Sequence, residues 1–254
     1  MMSLLLRIQR RALVPSLRGL PATAFRRLKR QIEAEALRRL ARALYGDAAE
    51  VAVAAGPFAG LVLANDPRRL LLPKALGHYE QELHPTLAAL SERAYGQVVN
   101  VGCAEGYYAV GLARLLPQAE VLAVDIDRAA RESCRALAQR NGVAARVRVT
   151  AEAPPPLPPA SGRSLWVVDC EGCEDSVLTG RPAGDFAATD MIVECHDFAV
   201  PGVTDRLRAQ FTETHRIETV VQAGRDPNAV PALASCPEAT RWLALCEFRP
   251  EPMH

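Results

Sequence analysis

The chain predicts an α/β fold with a mostly parallel sheet, and two observations carry this prediction. Short apolar runs alternate with helical segments from residue 98 to residue 194, an order typical of strand-helix-strand units. Residues 98–124 read VVNVGCAEGYYAVGLARLLPQAEVLAV, in which a glycine-containing turn separates an apolar strand from a helix. Nucleoside-binding βαβ units have this same order, so the sequence indicates a Rossmann-like sheet.

The segment before this unit is expected to form a helical and β-hairpin extension. Residues 31–45 carry apolar side chains at helical spacing, which predicts an amphipathic helix. Two β-prone runs, Val51–Ala54 and Leu61–Leu63, surround a Gly-Pro turn and predict a hairpin. Residues 74–95 are expected to be helical again, just ahead of the strand that leads into the glycine loop.

Apolar runs after residue 96 are expected to be the strands of the sheet, because most are rich in Val, Leu or Ile. Asn141-Gly142 marks the end of one helix, since this pair is a common helix cap. The Pro-rich run at residues 153–160 is expected to be an extended link. The expected strands are Val98–Val101, Val121–Val124, Arg146–Thr150, Leu165–Val168 and Met191–Glu194. The expected helices are Tyr107–Leu116, Arg128–Arg140 and Asp175–Thr179.

The carboxyl-terminal part is expected to add an antiparallel pair of strands to the sheet. Arg216–Val221 and Trp242–Phe248 are both β-prone, and a polar, Pro-containing stretch separates them. The chain is therefore divided into an extension, residues 1–95, and one larger domain, residues 96–254.

Composition limits the classes of partner. The chain has 254 residues, 49% hydrophobic and 23% charged, with a formal net charge of +1, which gives no bulk attraction to nucleic acid or lipid. No run of eighteen apolar residues occurs, so no membrane span is expected. The first 45 residues are Arg-rich and acid-poor, as in a mitochondrial presequence. The same bias continues through residues 36–44, and a basic helical extension is the simpler interpretation.

Seven cysteines are scattered along the chain, and several lie in apolar runs where reduced thiols pack as small hydrophobic groups. This distribution predicts a reducing, cytoplasmic location. Cys170 and Cys173 have the spacing of half a zinc site or of a redox pair, but no second such pair occurs. We therefore expect both to be ordinary structural residues.

The glycine loop indicates which nucleoside it binds. Dinucleotide sites use G-x-G-x-x-G to hold a pyrophosphate, whereas this loop has G-x-A-x-G and places Glu105 where it would repel a phosphate. S-adenosylmethionine has cationic groups and no phosphate, so it is the expected cofactor. Asp125, at the end of the next strand, is expected to hold the ribose. The expected cofactor contacts are Asn100, Gly102, Cys103, Ala104, Glu105, Gly106, Asp125, Ile126, Glu152 and Asp169.

Acids and a histidine follow two further strands, and the carboxyl ends of parallel strands meet beside the cofactor. His196 is the expected general base, because its ordinary pKa is near neutrality, and Asp169 and Glu171 would orient the substrate. The same groups suit a divalent metal such as Mg²⁺, for which Asp169, Glu194 and His196 are the candidate ligands. The sequence leaves both roles open.

VVDCEGCEDSVLTG at residues 167–180 resembles the signature of FkbM-type methyltransferases, and NVGCAEGYYAVGLA, AVDID and IVECHDF resemble further motifs of that family. The resemblance covers about residues 50–220. It implies a class I S-adenosylmethionine-dependent methyltransferase, with O-methylation of sugars or secondary metabolites as the associated activity. This chain departs from the family at Asn100, where an acid is common, and at Glu105, where Asn is frequent.

The expected acceptor is a small molecule, a sugar or a glycan hydroxyl. Two other classes remain as alternatives: a nucleic-acid methyltransferase, favoured only by the Arg-rich start, and a non-catalytic nucleoside-binding protein, suggested by the departures from the family pattern. No Asn-Pro-Pro-Tyr-like motif for base amines is present, and aromatic residues are few. The oligomeric state and the identity of the acceptor stay open.

Overall fold

A computed structural model describes residues 22–66, 71–152, 163–247 and 249. The Arg-rich start before residue 22, the Pro-rich run from residue 153 and Phe248 lie outside the described residues. The strands are β1 Glu50–Ala52, β2 Val62–Ala64, β3 Tyr95–Val101, β4 Glu120–Val124, β5 Val147–Thr150, β6 Arg163–Val168 and β7 Thr189–Val193. The helices are α1 Ala22–Tyr45, α2 Leu72–Leu76, α3 His84–Ser91, α4 Tyr107–Leu115, α5 Arg128–Arg140, α6 Glu174–Leu178, α7 Val203–Phe211 and α8 Glu238–Ala244.

The main sheet has the order β5-β4-β3-β6-β7, and every described pair in it is parallel. From β3 the chain moves outward through β4 and β5, then returns to the other side of β3 with β6 and β7. The strand order therefore reverses between β3 and β6. Ligands of open α/β sheets bind outside the carboxyl ends of the strands at such a point, and the mostly parallel, Rossmann-like prediction is confirmed.

The central strands are buried on both faces, which explains why they read as continuous apolar runs. Val98 packs toward α4, α5 and the hairpin, whereas its neighbour Val99 packs on the other face with Leu122, Trp166 and Phe211. Successive strand residues point to opposite faces, so each strand supplies both halves of the core. The register places Val99 between Leu122 and Trp166.

The expected hairpin forms as β1 and β2, and it shares the core of the main sheet. Asn141, at the end of α5, accepts a hydrogen bond from the amide of Val62 at 2.8 Å and donates one to its carbonyl at 2.9 Å. Its amide thus pairs with β2 as a further strand would. The expected helix over residues 74–95 is interrupted instead, because Gly77 takes a left-handed φ of +77° and ends α2.

The expected antiparallel pair at the carboxyl terminus is wrong. Residues 216–221 are not in a strand, and the run from Trp242 begins inside α8. Pro237 precedes the first residue of this helix and Glu238 lies in its first turn, both of which favour a helix start. These local signals outweigh the β-prone character of the run. α8 packs with α1 and α2 in a separate apolar cluster around Leu40, Leu72 and Leu233.

Within the described ranges, no helix combines the length and apolar character needed to cross a membrane.

A glycine substitution tests the close approach of β3 and β6. A Cβ on Gly102 would lie 1.6 Å from the carbonyl oxygen of Asp169, at a φ of +80°. We expect Gly102→Ala to lower the free energy of unfolding by about 4 kcal/mol or more, because backbone must move. Gly142 has a similar φ of +69° and no atom within 4 Å of its Cβ position.

Gly142→Ala is therefore the matched control, and it should cost only the left-handed strain of about 1 to 2 kcal/mol. Denaturant unfolding of both variants measures the difference. Equal losses in the two variants would contradict the close approach.

Candidate functional site

The glycine loop between β3 and α4 contains three residues with a left-handed backbone. Gly102, Ala104 and Gly106 have φ angles of +80°, +46° and +96°. Ala104 is strained there, since residues with a Cβ seldom adopt this region. The amides of Gly102 and Cys103 both donate to the carbonyl of Val124, at 2.9 Å each. The loop is therefore tied to the end of β4 without any ligand.

Asp125 follows β4 and contacts the loop directly. Its Oδ2 accepts a hydrogen bond from the amide of Ala104 at 2.9 Å, and its Oδ1 accepts one from the amide of Asp127 at 2.8 Å. A carboxylate has about four lone-pair sites, so each oxygen retains capacity for a ribose hydroxyl. The next residue, Ile126, is 92% exposed and offers an apolar surface beside that carboxylate.

Glu105 forms an ion pair with Lys74, a residue of α2. The Lys74 ammonium also lies 4.6 Å from the ring centroid of Tyr79 and 5.1 Å from that of Tyr107. Burial raises the pKa of Glu105, but Lys74 outweighs burial and the pKa lies below its usual value. The expected contact between Glu105 and a cationic cofactor therefore has a competitor inside the protein, which sequence reasoning missed.

Two other expected cofactor residues support the loop from inside. Asn100 is buried, its Nδ2 donates to the carbonyl of Val167 at 3.3 Å, and its Oδ1 has no described hydrogen-bond partner. Cys103 is buried as well, and its neighbour Cys134, together with burial, raises the pKa of its thiol. Glu152, by contrast, is exposed just beyond β5.

His196 and Glu174 form a buried pair at the carboxyl ends of β6 and β7. His196 is 1% exposed, and its Nδ1 lies 2.6 Å from Oε1 of Glu174. The same oxygen accepts hydrogen bonds from the amides of Cys170 and Gly172, at 3.3 and 3.2 Å. Burial raises the pKa of Glu174, but the bond with His196 and the amides outweigh it, so the pKa is lowered. Glu174 is therefore an ionised carboxylate, and in this form it holds His196 in place.

Asp169 and Glu171 lie on the other side of the His196 ring. Their carboxylate oxygens are 3.7 and 3.5 Å from Nε2, longer than a normal hydrogen bond. Burial lowers the pKa of His196, but Glu174, Asp169 and Glu171 together raise it above its usual value. Burial and Glu80 raise the pKa of Asp169 to about 6. The expected catalytic residues His196, Asp169 and Glu171 are thus brought together.

Three of these groups can also hold a metal ion. Asp169, Glu171 and His196 each offer a ligand atom, and those atoms lie within 4.8 Å of one another. Two carboxylates and one imidazole suit a divalent cation. Glu194, the third ligand expected from the sequence, forms an ion pair with Arg249 instead. The donor set therefore fits a metal, with Glu171 in the place expected for Glu194.

A buried ionic network closes the site from the side of the extension and the carboxyl terminus. Glu80 is bonded by Tyr108 and lies 2.5 Å from Arg249. Arg225 joins Glu82 at 2.7 Å and Glu247 at 2.6 Å, and donates from Nε to the carbonyl of His78. The partners lie up to 169 residues apart in sequence, so no local pattern indicated them.

A cavity of about 650 Å³ opens beside Asp169, along the outer edge of β7. Its wall includes Glu80, Tyr108 and Arg249, together with residues 214–220 and Gln222. This volume is within the range of small-molecule sites. Asp169 therefore borders both this cavity and the groups around His196.

Cys170 and Cys173 are joined by a disulfide bond, a pairing that the sequence analysis did not predict. Their Cα atoms lie 5.4 Å apart, within the range that a disulfide spans. A tight turn through Glu171 and Gly172 brings them together, which the apolar context of the pair did not reveal. The other five cysteines are free.

Residues 98–173 match the family model described as a methyltransferase domain. The match begins at β3 and ends just after the Asp169 turn, so it spans the glycine loop, Asp125 and the first acids of the cluster. This part of the chain is therefore similar to a methyltransferase domain. The match agrees with the methyltransferase class expected from the sequence.

Solved structures of low identity resemble this chain, and no curated protein matches it. TomG, an O-methyltransferase of Streptomyces achromogenes solved with S-adenosylmethionine, is 18% identical with a TM-score of 0.42, over 59% of this chain and 74% of its own. A methyltransferase of Geobacter sulfurreducens with S-adenosylhomocysteine is 16% identical with a TM-score of 0.40, over 65% and 73%. The chain spans 41% of a similar protein from Nostoc punctiforme, at 17% identity, 50% coverage of this chain and a TM-score of 0.32. Likeness at these levels carries no substrate from those proteins to this one.

Arg225 tests the ionic network, since its side chain is 7% exposed. We expect Arg225→Met, which keeps much of the volume, to lower the free energy of unfolding by about 3 kcal/mol or more, because Glu82 and Glu247 would remain buried without this partner. Denaturant unfolding near pH 7 measures the loss. Arg128→Ala removes an exposed pair with Glu132 and should leave stability unchanged; a similar loss there would contradict the argument.

Proposed function

We propose that this protein transfers the methyl group of S-adenosylmethionine to a hydroxyl oxygen of a small-molecule, sugar or glycan acceptor. The observation that carries the proposal is the buried pair of His196 and Glu174, which lies next to the glycine loop and leaves Nε2 without a close partner among the acids around it. A methyltransferase that acts on a hydroxyl needs such a base.

The pair determines which ring nitrogen of His196 carries the proton. An ionised Glu174 only accepts hydrogen bonds, so Nδ1 at 2.6 Å donates to it. In the neutral ring, Nε2 then holds the free lone pair. Glu174 thus acts as a positioning residue: it fixes the ring, favours this tautomer and stabilises the cation that forms when Nε2 takes a proton.

Methyl transfer is an in-line displacement in which the acceptor oxygen attacks the methyl carbon. Bound S-adenosylmethionine would supply the methyl carbon and a sulfonium leaving group for this displacement. The hydroxyl proton passes to Nε2 of His196. Because the sulfonium is already a good leaving group, alignment and proton removal are the protein's main tasks.

The cofactor is proposed to lie across the glycine loop. The backbone at Gly102, Ala104 and Gly106 would face its methionine part, Asp125 its ribose hydroxyls, and Ile126 its adenine. Asn100 and Cys103 would support this loop from beneath, and Glu152, on the exposed turn after β5, would approach the adenine edge.

Both parts of the proposed division contribute to this site. Lys74 and Glu80, from the extension at residues 1–95, contact residues of the methyltransferase domain at residues 96–254. The free cysteines support the proposed cytoplasmic location, since thiols persist in a reducing compartment. We also propose that the chain is a member of the FkbM-type methyltransferases that its motifs resemble.

Electrostatics favour a neutral acceptor over nucleic acid. Asp169, Glu171, Glu174 and Glu80 converge near His196, and such a group of carboxylates repels a phosphate backbone. A polyhydroxy acceptor can instead donate hydrogen bonds to the acids. A divalent ion held by Asp169, Glu171 and His196 would supply a Lewis acid for the acceptor oxygen, which is the second candidate role of this cluster.

An acceptor screen with purified protein tests the proposal. The acceptors are sugars, phenols, carboxylates and single-stranded RNA, and the product measured is S-adenosylhomocysteine. We expect S-adenosylhomocysteine to form only with hydroxyl acceptors. His196→Ala should lower the rate by a factor of about 10² to 10⁴. Repetition with EDTA and with Mg²⁺ separates the two roles of the cluster. Turnover on RNA, or an unchanged His196→Ala variant, would refute the assignment.

Asp125 tests the cofactor site. We expect Asp125→Asn to weaken binding of S-adenosylmethionine about tenfold or more, because the amide loses the charge and half of the accepting capacity. Calorimetry with S-adenosylmethionine and with NAD measures this. Asp127→Asn is the matched control, since Asp127 caps α5 and Asn caps a helix equally well. Binding of NAD alone, or equal effects of both variants, would count against the site.

The pKa of His196 tests the buried pair. In an NMR titration of protein kept in EDTA, the pKa should lie above 6.5, and Glu174→Gln should lower it, because one negative charge is removed. A raised pKa means that the neutral base, and hence turnover, grows as pH rises through that value. Glu132→Gln, an exposed acid on α5, is the control. A pKa at or below 6.5 in the unaltered protein would contradict the pairing.

A further inference from the structure

The disulfide between Cys170 and Cys173 lies directly after Asp169 and encloses Glu171 and Gly172. Both cysteines are half-buried, so a small dithiol can reach them. We propose that this disulfide is a reversible redox site that sets the conformation of the Glu171 turn, which we call the CEGC turn, residues 170–173. Its natural reaction partner is a dithiol, either a small molecule or a protein.

The CEGC turn needs a constraint to hold its shape. Glu171 has a φ of +56° and Gly172 one of +111°, so two consecutive residues lie in regions that side chains avoid, and Glu171 pays a conformational penalty. The Glu171 side chain is 80% exposed and has little packing to keep it in place. The cross-link spans these same two residues. Its loss would free the turn to relax.

The shape of the turn determines how Glu174 is held. The amides of Cys170 and Gly172 both donate to Oε1 of Glu174, the oxygen that also contacts His196. Relaxation of the turn removes two of these bonds and moves Glu171 away from Nε2. Cys170 and Cys173 are therefore positioning residues for His196. The consequence for methyl transfer rests on the proposed function, whereas the redox chemistry does not.

Two observations favour a switchable bond over a structural one. The five other cysteines are free, so the chain does not have the cysteine framework of a disulfide-stabilised protein. The closed loop is only four residues long, and a short loop constrains little of the unfolded chain. The bond thus acts locally, at the turn that it closes.

The exchange reaction is balanced. A thiolate of the reductant attacks one sulfur of the Cys170–Cys173 bond, and a mixed disulfide forms while the other cysteine leaves as a thiolate that takes a proton. The second thiol of the reductant then attacks the mixed disulfide and releases the first cysteine. Two electrons and two protons pass from the dithiol to the protein, and the reductant leaves as its own disulfide.

The first test equilibrates the full-length protein in mixtures of reduced and oxidised dithiothreitol, followed by thiol alkylation and peptide mass spectrometry. We expect Cys170 and Cys173 to become alkylated together, in one two-electron transition. The transition should have the same midpoint whether it is approached from the reduced or from the oxidised protein. Cys236, which is free and half-buried, should stay reduced throughout. Permanently free thiols at 170 and 173, or a bond that resists reduction in the folded protein, would overturn the proposal.

The second test measures amide hydrogen exchange in both redox states. Reduction should speed exchange in the CEGC turn at least tenfold, Cys170→Ser/Cys173→Ser should reproduce the reduced rate, and Cys236→Ser should change nothing. Unchanged exchange in the turn would refute its control by the disulfide. S-adenosylmethionine binding is measured in both redox states, and an absence of binding in both would count against the proposed function alone.

Discussion

The site depends on the close approach of β3 and β6 at their carboxyl ends. The carbonyl of Asp169 occupies the position where a Cβ on residue 102 would lie. The glycine loop and the first acid of the cluster are therefore in direct backbone contact. Parallel pairing of β3 with β6 aligns Val101 with Val168, and the next residue of each strand enters the site. Cofactor binding and acid-base chemistry are thereby placed side by side by one strand pair.

Burial of charge around this contact requires partners from distant parts of the chain. The free-energy cost of burying an unpaired carboxylate is far larger than the stabilisation from one hydrogen bond. Around this contact, a cation, an amide or a hydroxyl lies against each buried acid. Glu174 has His196 and two amides, while Glu80 has Tyr108 and Arg249. The extension and the carboxyl-terminal segment therefore complete the site electrostatically as well as cover it.

Sequence reasoning predicted the features that are local. The apolar runs and caps located the described strands of the sheet within a few residues, because a strand buried on both faces has an unmistakable composition. It also placed Asp169, Glu171 and His196 together, since strand ends share one edge. It missed Lys74 and Arg249, whose partners are far away in sequence, and misassigned Trp242–Phe248, where a Pro-Glu helix start outweighed β propensity. The disulfide depended on a turn geometry that spacing alone does not specify.

Strain is concentrated where the three segments of the site meet. Among the described residues, the non-glycine residues with positive φ are Glu80, Ala104 and Glu171, one each from the extension, the glycine loop and the CEGC turn. Each is held by a specific bond: Arg249 for Glu80, Asp125 for Ala104, and the disulfide for the turn of Glu171. Such strain persists only where surrounding structure over-determines it. The first two restraints are permanent side-chain contacts, whereas the third can be broken by electron transfer, so the CEGC turn is the part of the site that chemistry in the surrounding solution can change.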